Sequence, residues 1–224
     1  MEPDEVLYLP AGEAHHAFEV LRARTGDKVE VVDCTGRLFA AELRGGREAA
    51  VLEELAAPEG TELEISLYQA VPKGGRMDLV VEKATEVGVT SIVPLLTERG
   101  VVNPREGKVG RWNRVAEAAA RQSRRLRVPE VAEPVRFADA VSRVGETGVL
   151  LHNAPGLRPV EAVVGSPASL FVGPEGGWSE GELRLAERAG MALGGLGPYR
   201  LRSETAGIVA VARALAAAEN RVKR

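Results

Sequence analysis

Two short apolar runs near the C-terminal end each break into glycine, and this pattern constrains the fold of the 224-residue chain more than any other. Ser169 to Val172 reads as a buried strand that opens into Gly173-Pro174-Glu175-Gly176-Gly177. Met191 to Leu193 reads as a second strand, followed by Gly194, Gly195 and Gly197. Between them, Ser179 and Glu182 have the spacing of a capping box, which predicts a helix from Ser179 that stops at Gly190. A strand-helix-strand order brings both loops to one end of a parallel sheet. With no Cβ in the way, a ligand there can lie directly against backbone N–H and C=O groups. Neither loop has the spacing of a dinucleotide-binding GxGxxG or the GK[ST] of a P-loop. Glu175, Arg200, Arg202, Glu204 and Thr205 crowd around the glycines, a concentration of polar chemistry that plain turns do not need.

The rest of the chain supplies the partners of those two strands. Leu63 to Gln69 alternates Leu, Ile and Leu inward with Glu, Ser and Tyr outward, which reads as a strand. A helix is predicted from about Arg76 to Val87, with Met77, Val80, Val81, Ala84 and Val87 on its core face. Ser91 to Leu96 and Val149 to Leu151 read as further strands, Phe137 to Val144 as a small helix, and 204 to 219 as an Ala-rich helix. In that last helix Ile208, Val211, Ala212 and Leu215 form a packing stripe. Candidate strands alternating with helices predict an α/β parallel sheet covered on both faces. Ahead of it, Val6 to Leu9, Lys28 to Asp33, Leu38 to Leu43 and Ala50 to Leu55 read as strands of a small barrel, with a brief helix over Glu13 to Leu21. The turn Pro58-Glu59-Gly60 places the boundary, giving domains at 1–60 and 61–224.

Charge is distributed unevenly about a net value of −3. Residues 1–70 hold fifteen acidic and six basic side chains, whereas 71–130 hold seven acidic and twelve basic. A polyanion would be drawn to the middle of the chain. There the helix predicted from Arg111 to about Arg125 places Arg111, Arg114, Arg121 and Arg125 within a sector of about 80° at 100° per residue. Trp112, Val115, Ala116 and Ala119 occupy the neighbouring, packing face. Guanidinium groups in a row suit bidentate phosphate contact; a solvated face or interface salt bridges would use the same groups. Lys73, in the glycine-bearing loop before the 76–87 helix, and Arg99, before the loop NPREGKVG, are further phosphate candidates. His152, at a strand end, either borders the ligand crevice or is a structural histidine.

Cys34 is the only cysteine, so neither an internal disulfide nor a cysteine-cluster zinc site is available. With three histidines, two of them adjacent, no metal site is expected. No apolar run reaches the length of a membrane span, and the acidic start MEPDEVLYLP is unlike a signal peptide, so a cytoplasmic protein without a membrane partner is expected.

Several segments match one family in order: HHAFEVLRARTGDKVEVVD at 15–33, KGGRMDLVVEKATEVGV at 73–89, RWNRVAEAAARQSRR at 111–125, FVGPEGGWSEGEL at 171–183 and LGPYRLRSETA at 196–206. On these the chain resembles the small-subunit ribosomal RNA uridine N3-methyltransferases of the SPOUT superfamily. The resemblance implies a SPOUT-type parallel sheet with a deep C-terminal trefoil knot, preceded by a PUA-like barrel that helps hold RNA. It implies S-adenosyl-L-methionine as cofactor, a homodimer, and 16S rRNA or the assembled small ribosomal subunit as partner. Carried onto this sequence, the cofactor site takes Leu151, Gly173, Pro174, Glu175, Gly176, Gly177, Leu193, Gly194, Leu196, Gly197, Leu201, Arg202 and Thr205. Catalytic roles fall on Arg200, Arg202 and Glu204, and RNA contacts on His16, Arg22, Lys73, Arg76, Arg99, Arg114, Arg121 and Arg125. Where the family loop reads LGxRILRxET, this chain has Tyr199-Arg200, which displaces one arginine by a position. Ribose 2′-O-methylation, or RNA binding without catalysis, are the alternatives on the same fold.

Overall fold

The computed structural model describes residues 5–33, 35–56, 64–102, 104, 107–165 and 167–222. Cys34, the Pro58-Glu59-Gly60 turn, Leu63 and three residues of the NPREGKVG loop (103, 105 and 106) lie outside the described residues. Internal contacts group the chain into two compact units, Met1–Gly60 and Thr61–Arg224.

In the first unit, strands β1 (Val6–Tyr8), β2 (Lys28–Val32), β3 (Leu38–Gly45) and β4 (Glu48–Leu55) form an antiparallel sheet in the order β1-β4-β3-β2. Alternation along β3 sends Phe39, Ala41 and Leu43 inward, all with zero exposure, and Ala49 of β4 joins them. The brief helix starts earlier than predicted, as α1 (Ala11–His15), and continues as a π-helical turn over His16–Val20. That turn leaves Arg22 at φ 56, a left-handed conformation unusual for a side chain with a Cβ.

The second unit is a seven-stranded sheet. Strands β5 (Ile65–Ala70), β6 (Ser91–Leu96), β9 (Gly148–Leu151), β10 (Ala168–Val172) and β11 (Ala192–Gly194) run parallel in the order β11-β9-β10-β5-β6. Two-residue strands β7 (Glu130–Val131) and β8 (Val135–Arg136) line the outer edge of β6. β7 lies between Pro129 and Pro134 and β8 directly after Pro134, pairing that the local composition does not announce. Pro94, without an N–H to give, lies where the outer pairing of β6 is interrupted.

Period-two alternation splits this sheet between two cores. Ile65, Leu67, Ile92, Val149, Leu170 and Val172 face helices α2 (Met77–Val87), α3 (Lys108–Gln122) and α6 (Ser203–Val222). Leu95, Leu150 and Phe171 face α4 (Phe137–Val144) and α5 (Glu180–Arg188). Tyr68, expected to point outward, belongs to this second core and stacks on Phe171 with ring centroids 4.4 Å apart. The α5 capping box is complete: Ser179 Oγ accepts from Glu182 N–H, and Glu182 Oε2 accepts from Ser179 N–H at 2.8 Å.

Three helical-wheel expectations need correction. On α2, Val87 is exposed and Thr85 takes the buried place, its hydroxyl donating to Val81 O at 2.7 Å. On α6, Ala210, Val211, Ala214 and Leu215 are buried against the chain's own core, while Ala212 is exposed. The stripe is therefore largely spent inside one chain. The arginine helix α3 begins at Lys108, after Gly107 in the left-handed conformation, and ends at Gln122. Arg124 then adopts φ 56 and turns Arg125 out of the predicted row.

Candidate active site

The C-terminal ends of β9 and β10 and the loop after β11 enclose a cavity of about 610 Å³. This is the crevice beyond the strand ends where open α/β sheets bind ligands. Leu151 and His152 line it from β9, Val172 and Gly173 from β10, and Leu196, Gly197, Tyr199, Arg200 and Leu201 from the third loop, with Ser203 and Ala206 from the first turn of α6.

Glycine is required at Gly173 for a specific reason. A Cβ there would lie 3.0 Å from Cε2 of Trp178, whose ring backs the loop. The indole is fixed by its Nε1–H, which donates to Leu151 O at 2.9 Å, so it cannot retreat without losing that bond. Gly197 serves differently: its φ of 117° is backbone that other residues rarely adopt.

Glu175 ties three loops together. Its Oε1 accepts from Lys73 N–H at 3.1 Å, and its backbone oxygen accepts from Arg200 at 3.2 Å. Beneath the cavity floor Gln69, fully buried, donates to Ser203 Oγ at 2.9 Å, and that hydroxyl donates to Gly173 O at 2.7 Å. The end of β5, the start of α6 and the first glycine loop are thereby locked to one another. Glu182 extends the lock outward, since its Oε1 accepts from Glu98 N–H at 2.9 Å. Arg99, next along, donates to Gly176 O at 3.2 Å.

Of the residues expected around a cofactor, Leu151, Gly173, Pro174, Glu175, Gly177, Leu196, Gly197, Leu201 and Arg202 line the cavity, as does Arg200. Gly176, Leu193, Gly194 and Thr205 do not. Gly176 is exposed and faces Arg99, whose Cβ would lie 3.2 Å from an added methyl. Gly194 is a packed strand residue against Val149, Val163 and Leu151, with its carbonyl bonded to His152 N–H. Leu193 and Thr205 point to solvent. Glu204 is also absent from the lining: it is 5% exposed and paired with Arg76 at 3.4 Å, with Oε2 buried and unbonded. Its carboxylate holds Arg76 and does not reach into the cavity.

The sequence reading missed Asn153, Val172, Trp178, Tyr199, Ser203 and Ala206 in the lining and left His152 open between crevice and structure. An indole directly after a glycine loop was the available signal for Trp178. Nothing local marks Ser203, because its role depends on Gln69, 134 positions away.

The expected RNA contacts divide in the same way. His16, Arg22, Lys73, Arg99, Arg114 and Arg121 are exposed, and Arg121 lies 3.9 Å from Glu117. Arg125 must be corrected: its guanidinium donates to Thr85 O at 2.9 Å and Val89 O at 2.7 Å, closing the C-terminal end of α2. Burial lowers its pKa, as expected for a cation withdrawn from water. Arg111 is held by Asp78, with Nε 2.9 Å from Oδ2, while Trp112 Nε1–H donates to Oδ1 at 3.1 Å. Among the described residues no cluster of three or more His, Cys, Asp or Glu side chains could hold a metal. Nor is any described helix long and apolar enough to cross a membrane.

Comparison with known proteins agrees with this geometry. The RNA methyltransferase domain family matches residues 59–215, and the RNA methyltransferase PUA domain family matches residues 9–55. The ribosomal RNA small subunit methyltransferase E of Synechocystis is 35% identical over 94% of this chain and 73% of that protein. The enzyme of the same name from Neisseria gonorrhoeae, solved bound to S-adenosyl methionine, is 30% identical with a TM-score of 0.86, covering 95% of this chain and 92% of that one. A Legionella pneumophila protein, solved in complex with the bound cofactor SAM, is 31% identical with a TM-score of 0.83, covering 97% of this chain and 94% of that one. With two domain families matched in order and relatives aligned over nearly the whole chain, this protein belongs to the ribosomal RNA small subunit methyltransferase E family.

Proposed function

We propose that this chain transfers a methyl group from S-adenosyl-L-methionine to N3 of a specific uridine in 16S ribosomal RNA. The observation that carries the proposal is the cavity at the ends of β9 and β10, built around Gly173 and Trp178. Its volume of about 610 Å³ lies within the range of small-molecule sites. Its lining suits a nucleoside: strand-end and loop residues Leu151, Gly173, Leu196 and Leu201 beside the apolar Val172, Trp178 and Ala206. The choice of uridine N3 rests on the motif resemblance of the 171–183 and 196–206 loops.

When bound, S-adenosylmethionine supplies an electrophilic methyl group that needs alignment with its acceptor more than further activation. The loops do the aligning, held by the Gln69–Ser203–Gly173 relay and by Glu175. Arg200 and Arg202 place positive charge in the lining, where it stabilises the anion left when a uridine loses its N3 proton. His152 and Glu175 are lining side chains that carry an atom able to accept that proton. Glu204 acts at one remove, by orienting Arg76.

The expected trefoil knot, homodimer and cytoplasmic location belong to the same reading, with the PUA-matching unit and the basic face of α3 guiding RNA. Light scattering should give about twice the 23.8 kDa chain mass. Mass mapping of 16S rRNA from a strain lacking the gene tests the reaction itself. Loss of one N3-methyluridine is expected; unchanged N3 methylation overturns the assignment, and loss of a ribose 2′-O-methyl group transfers it to the alternative chemistry.

A further inference from the structure

A second cavity, of about 320 Å³, lies beside the Val71–Met77 segment that carries Lys73 to Glu175. Val71, Met77 and Trp112, each at most 5% exposed, give it an apolar floor. Its edge is polar and cationic. Lys108, exposed in the first turn of α3, lines it, and Arg111 stands three residues further along the same helix face. Arg111 retains 59% side-chain exposure even while bound to Asp78. Asp78 is also in the lining, but both its oxygens are engaged, by Arg111 and by the Trp112 indole N–H, so its charge is compensated and the wall is rigid. Gly74 and Gly75, at φ 68° and 74°, leave open space where side chains would stand, so a ligand can reach the backbone at the start of α2.

We infer that this second cavity receives an unpaired nucleotide of the RNA substrate, its base on the Met77–Trp112 floor and its phosphate toward Lys108. The inference rests on the proposed RNA methyltransferase function and goes beyond it by adding a base-holding site separate from the cofactor cavity. Charge complementarity selects this occupant. An apolar ligand would leave the cationic edge unused, and a bare anion would leave the apolar floor wet, whereas a nucleotide satisfies both. The floor also shares its supporting segment with the Lys73–Glu175 contact, so a nucleotide held there sits one loop away from the cofactor cavity. Enzymes that modify a base within structured RNA must unstack it, and a pocket for a neighbouring base helps hold the opened strand.

The two tryptophans of the chain fall one in each cavity, which makes the test direct. In a Trp178→Phe variant only Trp112 emits, and uridine 5′-monophosphate should change its fluorescence saturably. Lys108→Glu on the same background should weaken that binding by about fivefold or more, since an attractive exposed pair becomes a repulsive one. Ribose 5-phosphate, which has the anion but no base, should leave the emission unaltered. If Trp178→Phe fails to fold, the titration is run on the otherwise wild-type chain with the first cavity saturated by S-adenosylmethionine. A flat Trp112 response, equal binding in the Lys108 variant, or an equal response to ribose 5-phosphate each overturns the inference. Titrating the wild-type chain with S-adenosylmethionine alone, read by the response that Trp178→Phe removes, tests the cofactor site separately. Failure there with a preserved Trp112 response would remove the methyltransferase reading and leave the nucleotide pocket standing.

Discussion

Around Trp178 the cavity is walled by loops and strand ends, whereas along α3 the charge is carried by long side chains, several of which are already engaged. Arg111 is tied to Asp78, Arg121 sits beside Glu117, and Arg125, predicted to extend the row, caps the end of α2. Backbone at a strand end goes where the strand goes, so glycine spacing locates it closely. An arginine about 7 Å long can swing to whichever carbonyl or carboxylate the fold brings near, and helical phase cannot say which. The difference teaches that a surface made of loops is more legible in a sequence than one made of cations.

The strongest test of this contrast lies at Gly173. Gly173→Val should push side-chain atoms into the pinned Trp178 ring and weaken S-adenosylmethionine binding by roughly tenfold or more, about 1.4 kcal/mol. Gly176→Val, three positions along, should weaken it much less, because the added atoms face Arg99 and not the cavity. Calorimetric titration of both variants checks the pair, and equal losses would mean that the loop responds as a whole.

Of similar size is Arg125→Ala. Removing the guanidinium takes its donor from the Val89 carbonyl and one of two donors from the Thr85 carbonyl, which keeps Gly88 N–H, and should cost about 1–3 kcal/mol of stability in chemical denaturation. The salt dependence of RNA binding should stay as in wild type. A shallower salt slope would restore Arg125 to the RNA path.

Arg114→Ala should give the reverse pattern. It is exposed on α3, so stability should hardly change, while the slope of log affinity against log salt should fall by about one contact. An unchanged slope would assign this part of α3 to ordinary solvated surface.

The smallest effect belongs to a pair away from both cavities. Arg213 of α6 donates to Glu161, with Nη2 to Oε2 at 2.8 Å. Burial would raise the Glu161 carboxyl, but the hydrogen bond and charge of Arg213 outweigh it and the pKa is lowered. A lowered folded-state value means the ionised pair stabilises the fold above the ordinary glutamate range and loses that contribution as pH falls through the folded value. Glu161→Gln should therefore be less stable than wild type at pH 7 by about 0.2–1 kcal/mol, allowing for solvent screening. The difference should vanish in strong acid, as thermal melts across pH would show; a constant difference would point to packing.

How far the site could be read in advance follows from the same physics. Ser179 and Glu182 announced their helix because both partners lie within one turn, and the structure pairs them as the spacing requires. Glu204 was placed beside the glycines by its sequence neighbours, yet the first turn of α6 carries its carboxylate to Arg76 and away from the cavity. Trp178 was adjacent to a recognised loop and still went unassigned, since only the fold shows its ring behind Gly173.

Sequence by itself determined the strand-loop-helix order, the two-sided burial of the parallel sheet and the glycine loops at its C-terminal end. These follow from local periodicity, capping and backbone freedom, which act over a few residues. Tertiary structure alone decided that β7 and β8 extend the sheet, that Gln69 reaches Ser203 to hold Gly173, that Arg125 turns inward, and that Trp112 and Trp178 floor two different cavities. Each of these joins residues far apart in the chain through a hydrogen bond or a close contact of a few ångströms. Such partners are chosen by how the helices pack on the sheet, and that choice is made by the whole core at once.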